Sequence, residues 1–496
     1  MKSVIIIGGG VGGLCTAVRL LNKGFKVTVL EKENTLGGKV NIIKRNKFKF
    51  DLTASVLMTP DIYISIFKDI GKDYKKYINF VKLDTLYRVN YYDNTSIDIS
   101  YDSRTMINTL EDIQDGLSKE YIDFLSESFK KYSISKSNFL DKDMIDIKEV
   151  ININSMSKLI ELKPFSSSSN YISSKISNEK LKNYLIFKSM YIGINPYDSS
   201  NLYTLIPAIS QLYGLWYIKG GFYEYIRALE KLIYELNGSI KLNTRVDEIL
   251  IDESRILGVR CKDKVYESNI VICNADYPYA IKNLFRYNLK RPFNKENIDK
   301  KELSCSVFIL YLGLNKKYKE LKTHNIYINK NFKESIEAPF KGEIPKNLSL
   351  YIYYPSHIDE SICEDGYSAL NIMVRVPNLT YKNINWDENS TKKIRNKIIE
   401  TLKDLNGLED IEEHIEDEEY LTPLDLEEKF NAYKGCAFGL SHKLKQTAYL
   451  RPHIKSKCIN GLYFIGSSTH PGNGVSVIID GSKVLSELIY KDYFND

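Results

Sequence analysis

The sequence predicts an α/β fold: a parallel sheet assembled from discontinuous segments, with a mixed α+β region inserted between them. Three observations predict it. Val4 to Ile7 is a short β-branched run, followed at once by Gly8, Gly10 and Gly13 in G-x-G-x-x-G spacing and then by a helix-like segment. A second strand, Lys26 to Leu30, ends on an acid, Glu31. The pattern then lapses and returns late in the chain, in the buried-looking VICNA run at 271–275 and in NGLYFIG at 460–466. The first unit alone has too few strands to bury both faces of a parallel sheet, so these later strands must complete it.

Each part of the opening unit has a physical role. Gly8 allows the tight turn, Gly10 lets backbone approach a pyrophosphate, and Gly13 permits close packing of helix on strand, with Gly12 in the same loop. The helix N-terminus offers free N–H groups and positive dipole potential to the phosphates. Glu31, followed by Lys32, is placed to accept hydrogen bonds from an adenosine ribose, and an acid there speaks against a 2′-phosphate. The opening is therefore a Rossmann-like dinucleotide site.

Gly37, Gly38 and Lys39 follow Glu31 in the spacing E-x(5)-G-G-[KR]. That pattern resembles flavoproteins of the amine-oxidase and phytoene-desaturase type. Glycines at these positions let a loop lie along the flavin side of the cofactor, and the lysine can approach the pyrophosphate. The expected cofactor is FAD rather than NAD.

Composition excludes several classes. A length of 496 residues with 43% hydrophobic content supports two or three domains with substantial cores. A net charge of +6, spread over 69 basic and 63 acidic residues, lacks the clustered basic stripe of a nucleic-acid binder, yet is compatible with weak attraction to an anionic bilayer. The seven cysteines are scattered, without a C-x-x-C pair or a histidine at ligand spacing, so reduced thiols and no metal are expected. No basic leader or apolar h-region precedes the first strand, and no run of about 18 apolar residues can span a bilayer. A cytoplasmic protein with peripheral membrane contact is the expectation.

Along the chain, Phe48 to Pro60 reads as a strand and turn before a helix near Asp61. From there to about Tyr213 the pattern is mostly helical, with 3–4 apolar spacing at Lys119 to Tyr132 and Asn178 to Met190. Serine-rich Phe165 to Ser174 reads as a surface loop. Phe222 to Leu236 is an amphipathic helix, and Ser239 to Ile251 and Val259 to Ala275 are strands. Strands at Cys305 to Leu314 and Leu348 to Tyr354 precede a helix near Ser390 to Asn406, and the acidic run Glu409 to Glu419 reads as a solvated face. A last helix starts near Val475.

Five segments together resemble a family. The opening motif, WYIKGGFYEYIRALEKLIYELNGSIKLNTRVDEI, VICNADYPYA, AYKGCAFGLSHKLKQTAYLRP and LYFIGSSTHPGNGVSVIIDGSKV are similar to the bacterial phytoene-desaturase type of carotenoid desaturase, and in character to the dehydrosqualene (4,4′-diapophytoene) desaturases. The resemblance covers nearly the whole chain. It implies FAD in a domain made of 1–75, 220–275 and 455–496, with 76–219 and 276–454 forming a substrate-binding and helical, membrane-associating region. It implies that Val246, in the NTRV strand, lies beside the adenine and that Gly466, Gly474 and Val475 border the flavin. A helix starting near Val475 would direct its positive end at the ring. His470, beside Pro471, reads as structural rather than catalytic.

The implied reaction is a desaturation: a hydride leaves an allylic C–H for the flavin and a neighbouring carbon loses a proton, with no identifiable proton acceptor. The implied substrate is a long isoprenoid hydrocarbon. Its transfer through water would cost tens of kcal/mol at about 0.8 kcal/mol per methylene, so it is expected from a bilayer into an apolar tunnel. Phe187, Met190, Tyr191, Leu215 and Trp216 are candidate tunnel residues. A quinone or dioxygen is the expected electron acceptor. The chain departs from the family at Asp51–Leu52–Thr53–Ala54–Ser55, in place of D-x-G-P-[ST], and at Gly474 to Gly481, in place of G-x-P-x-V-x-x-S-G. Asp480 either contacts the flavin or faces solvent. These departures leave a carotenoid oxygenase, isomerase or saturase as the alternative, and a flavin amine oxidase as a more distant one.

Overall fold

A computed structural model describes residues 2–146, 157–158, 161–286 and 295–494. Five strands form a parallel sheet in the order Leu462–Phe464, Val271–Cys273, Ser3–Ile7, Lys26–Leu30, Ser239–Lys241. In chain order we label these β1 (Ser3–Ile7), β2 (Lys26–Leu30), β3 (Ser239–Lys241), β4 (Val271–Cys273) and β5 (Leu462–Phe464). The first and last strands of the chain, more than 400 residues apart in sequence, thus lie in one sheet on either side of β4.

Period-two side-chain alternation decides what covers each face. Val4 and Ile6 point to a core shared with three helices, α1 (Val11–Asn22), α2 (Tyr223–Glu235) and α3 (Val475–Phe494). Ile5 and Ile7 point the other way, to a core closed by an antiparallel three-stranded ribbon, Glu248–Asp252, Arg255–Cys261 and Lys264–Glu267. Side chains such as Ile6, Leu14 and Val29 are wholly buried, and each contributes about 1.5–3 kcal/mol.

The inserted region is built on a seven-stranded sheet in the order Ile415–Leu421, Ser306–Leu314, Ser368–Val376, Leu350–Tyr353, His324–Ile328, Thr85–Tyr91, Ser96–Ser100. All its pairs are antiparallel except His324–Ile328 with Thr85–Tyr91. Helices Leu117–Ser135, Glu179–Ser189 and Leu205–Tyr213 pack on one core of this region and Glu388–Lys403 on another.

Several sequence expectations need correction. Thr85–Tyr91 and Ser96–Ser100 are strands inside the segment expected to be helical, and Ile97 and Ile99 alternate with polar neighbours as a half-buried strand requires. The expected helical stretch over 147–156 lies outside the described residues. Serine-rich Phe165 to Ser174 is not a plain loop: Ser168–Lys175 is a helix, because the Ser167 hydroxyl caps it by accepting the Asn170 N–H. The two long strands expected at 239–251 and 259–275 are each broken, the first by Leu242 to Asp247, where Asn243 takes φ +51°. The acidic run is only partly a solvated face, since Ile415–Leu421 is an edge strand whose Asp417 and Glu419 pair with Arg45. No helix among the described residues is long and apolar enough to cross a membrane.

Candidate functional site

Because all five strands of the first sheet run parallel, their carboxyl ends meet along one edge, where open α/β sheets bind ligands. Gly8 to Gly10 follow β1, Glu31 follows β2, Asn274 to Asp276 follow β4, and Ile465 and Gly466 follow β5. A cavity opens along this edge and runs on beneath the seven-stranded sheet.

The structure brings Gly8, Gly10, Gly12, Glu31, Lys32, Gly37, Gly38, Lys39, Val246, Gly466, Gly474 and Val475 together on the wall of this one cavity. Gly8 takes φ +94°, which only glycine adopts freely. Gly10 is the uncapped N-cap of α1, so the helix presents unsatisfied N–H groups to the cavity. The Gly37 N–H donates to the Gly9 carbonyl at 2.8 Å, folding the second glycine loop over the first. Gly13 does not reach the cavity: a Cβ there would overlap the Gly8 carbonyl oxygen, so its role is helix-on-strand packing.

Glu31 is 6% exposed and accepts the N–H groups of Gly9 at 2.6 Å and Glu33 at 3.0 Å, while burial raises its pKa. Val246 lines the cavity from an extended link rather than from a strand. That link is tied down where Thr244 N–H donates to the Glu31 carbonyl at 2.7 Å. Lys39 Nζ donates to the Ala437 carbonyl at 2.9 Å, and Lys32 pairs with Glu33 at 3.2 Å. A second helix N-terminus, at Val475 of α3, faces the opposite wall.

Sequence reasoning missed the residue that shapes that wall. Arg451 is 1% exposed and donates to five carbonyls, those of Leu440, Ser441, Gln446, Ser467 and Thr469, at 2.6–3.2 Å. It has no carboxylate partner among the described residues, so its charge is spent on holding the turn before Gly474 in place. His442 Nε2 accepts the Asn473 N–H at 3.2 Å in the same turn. His470 is buried, with Nε2 2.9 Å from the Lys142 carbonyl, in keeping with a structural role. Asn274, also missed, donates its amide to the Gly8 carbonyl at 3.1 Å and closes the phosphate-loop side.

Beneath the seven-stranded sheet the wall changes character. Phe187, Met190, Tyr191, Ile326 and Met373 make it apolar and aromatic, whereas Leu215 and Trp216 lie away from it: Leu215 is fully buried in core and Trp216 pairs in a strand with Lys82. Polar groups sit in this wall as well. Lys188, at the end of Glu179–Ser189, bonds the Tyr87 hydroxyl, and burial lowers its pKa to about 7. The Tyr351 hydroxyl bonds Ser55 at 2.9 Å and His324 Nδ1 at 2.7 Å, and burial holds His324 neutral, near 3. Arg375 lies with its guanidinium 4.5 Å from the centre of the Phe438 ring.

The two sequence departures resolve differently. Asp51 is buried off the cavity, where its carboxylate accepts the Phe222 N–H at 2.8 Å and the Tyr353 hydroxyl at 3.1 Å, and desolvation pushes its pKa up to about 7. Ser55 reaches the cavity wall. Asp480 neither contacts the cavity nor stands free in solvent, because it pairs with Lys136 at 2.8 Å.

A glycine-lined cavity at the carboxyl edge of a parallel sheet suits a dinucleotide cofactor, and the comparisons name its class. The profile of the flavin containing amine oxidoreductases matches residues 11–478. The chain belongs to that family, and FAD is its cofactor. It is 33% identical over 494 residues, 99% of each chain, to a 4,4′-diapophytoene desaturase (4,4′-diaponeurosporene-forming) of Staphylococcus haemolyticus, and 33% identical over 497 residues to that of Staphylococcus aureus strain Newman, again 99% of each. Its fold is that of putrescine oxidase (TM-score 0.64, 12% identity, 98% and 99% of the two chains) and of an oxidoreductase from Methanosarcina mazei (TM-score 0.63, 15% identity, 98% and 100%).

The residues fit such a cofactor. At Gly38 and Gly466 a Cβ would meet nothing closer than 3.6 and 4.0 Å, so the space beside both is open cavity. Two helix N-termini open on the cavity and would supply donors for phosphate, and Glu31 on its wall would supply an acceptor for ribose.

Proposed function

We propose that the protein is an FAD-dependent desaturase that introduces double bonds into a long isoprenoid hydrocarbon of the phytoene or dehydrosqualene type. One observation carries the choice over amine oxidation. The deep wall of the cavity, around Tyr87, Phe187, Lys188, Tyr191, Tyr351 and Arg375, contains two basic side chains and no carboxylate among the described residues, so it offers a protonated amine no counter-ion while an uncharged chain would be accepted. The named activity of the Staphylococcus relatives supports the same reading.

Bound FAD would supply hydride acceptance. The chain's own residues do the rest by position: the apolar wall around Phe187, Met190 and Ile326 aligns a flexible substrate and excludes water. Gly8, Gly10, Gly12, Glu31 and Lys32 would hold the adenosine diphosphate part, with Val246 by the adenine, and Gly37, Gly38, Lys39, Gly466, Gly474 and Val475 would border the flavin. The functional division we propose is 1–75, 220–275 and 455–496 for the cofactor and 76–219 and 276–454 for the substrate. Peripheral contact with the inner face of the cell membrane would deliver the substrate, and a quinone or dioxygen would reoxidise the flavin.

The test is expression in a bacterium that makes dehydrosqualene or phytoene, with pigments separated chromatographically and weighed by mass spectrometry. Products lighter by successive pairs of hydrogens are expected. Added oxygen would point to an oxygenase, and unchanged substrate with retained flavin would refute the proposal.

A further inference from the structure

The deep end of the cavity carries two positive charges that a hydrocarbon cannot use. Lys188 is 4% exposed, and its ammonium meets aromatic groups: the Tyr87 hydroxyl, the Tyr87 ring at 3.8 Å and the Tyr191 ring at 5.6 Å. Arg375, opposite Val307 in the sheet, has the Met373 sulfur, at 3.5 Å, as its hydrogen-bond acceptor among the described residues. Neither pairs with a carboxylate among the described residues. The acids on the cavity wall are engaged elsewhere, Glu31 with backbone N–H groups, Glu33 with Lys32, and Asp276 with Ser468 and the Tyr433 N–H.

Buried charge without a counter-ion is costly, and a guanidinium has five donors in a fork that matches a carboxylate. Around these two cations the wall is apolar, formed by Phe187, Met190, Ile326 and Met373, so a small hydrophilic anion would leave most of it unfilled. The Tyr191 ring faces Lys188 at 5.6 Å, and the Arg375 guanidinium lies 4.5 Å from the centre of the Phe438 ring. We propose that this cavity also takes a long isoprenoid bearing a carboxylate at one end, with the carboxylate held by Arg375. The inference deepens the proposed function, resting on it only in treating this cavity as the substrate's.

The experiment uses the flavin-loaded protein and two probes of equal chain, all-trans-retinoic acid and its methyl ester, with binding measured by equilibrium dialysis from detergent at pH 6.5. The acid is expected to bind about 10- to 100-fold more tightly than the ester. Arg375→Met should remove that preference and leave the ester's affinity within a few-fold. Equal affinity of acid and ester in the unmodified protein overturns the inference, whatever the variant does. So does loss of flavin from a folded Arg375→Met, which would give that charge to the cofactor. Dehydrosqualene desaturation by a protein indifferent to the carboxylate would leave the proposed function standing and remove this inference alone.

Discussion

Replacing Lys188 by Met should make the protein more stable at low pH, with the gain fading as the pH rises. Burial pulls the Lys188 ammonium from 10.5 down to about 7. At 1.36 kcal/mol per pH unit, that difference corresponds to a cost on the order of 5 kcal/mol for keeping the charge inside. The sign follows from proton counting. Below pH 7 both folded and unfolded chains carry the proton, so the folded state bears the full cost. Between pH 7 and 10.5 the unfolded chain alone keeps it, so stability rises with pH across that window and the cost is gone above it. Met fills the space of the lysine stem but strands the Tyr87 hydroxyl, which offsets about 1–3 kcal/mol. A net gain of about 2–4 kcal/mol at pH 6 remains, a rise of roughly 2–4 °C in Tm if the 496 residues unfold together at about 2.1 cal/mol/K each. Thermal unfolding followed by circular dichroism at pH 6 and pH 10 measures both. A variant less stable than its parent at pH 6, or a difference that is the same at both pH values, would refute the reasoning.

Other perturbations separate cofactor from scaffold. Gly10→Val should fold, because its Cβ meets only the end of the Asn274 side chain at 3.0 Å, yet lose flavin; a folded and fully yellow variant contradicts the phosphate-loop assignment. Gly13→Ala, by contrast, should lower stability by about 1–3 kcal/mol in urea denaturation, since its Cβ strikes backbone at Gly8. Arg451→Met should release the Ser467 to Gly474 turn and speed flavin dissociation at least tenfold in a spin-filtration assay, with unchanged retention counting against its positioning role. Asp51, whose pKa is raised to about 7, binds a proton in the folded chain over a range where the unfolded chain has lost it, so stability should fall as pH rises from 4 to 7. Asp51→Asn should flatten that stretch of the Tm profile.

The cofactor edge was readable because its parts are local. Strand, turn, helix, strand and acid occupy the first 31 residues, and the second glycine loop lies six residues further on. Even there, Val246 was assigned to a strand, because the apolar pattern of Ser239 to Ile251 hides the break that Asn243 makes. The substrate end was hardly legible. Its wall is drawn from the strands Thr85–Tyr91, His324–Ile328, Leu350–Tyr353 and Ser368–Val376, brought together by sheet pairing, and from the helix Glu179–Ser189 packed against them. Lys188 looks like any surface lysine of a helix, and nothing in its own window shows that the face is buried. Arg375 left a faint signal, a lone charge in the otherwise apolar IMVRV run. Aromatic and apolar character alone does not separate cavity wall from core: of five candidates it marks, Phe187, Met190 and Tyr191 reach the cavity, while Leu215 and Trp216 do not.

The order of strands in the parallel sheet also governs how the enzyme comes into being. A nascent chain emerging from the ribosome presents its Gly8 to Gly10 turn first, but β5 and the start of α3, which wall the opposite side of the crevice, are translated last. Capture of flavin must therefore wait until synthesis is nearly over. Any chain cut short before residue 462 is left with an open, solvent-filled groove where a closed crevice should be.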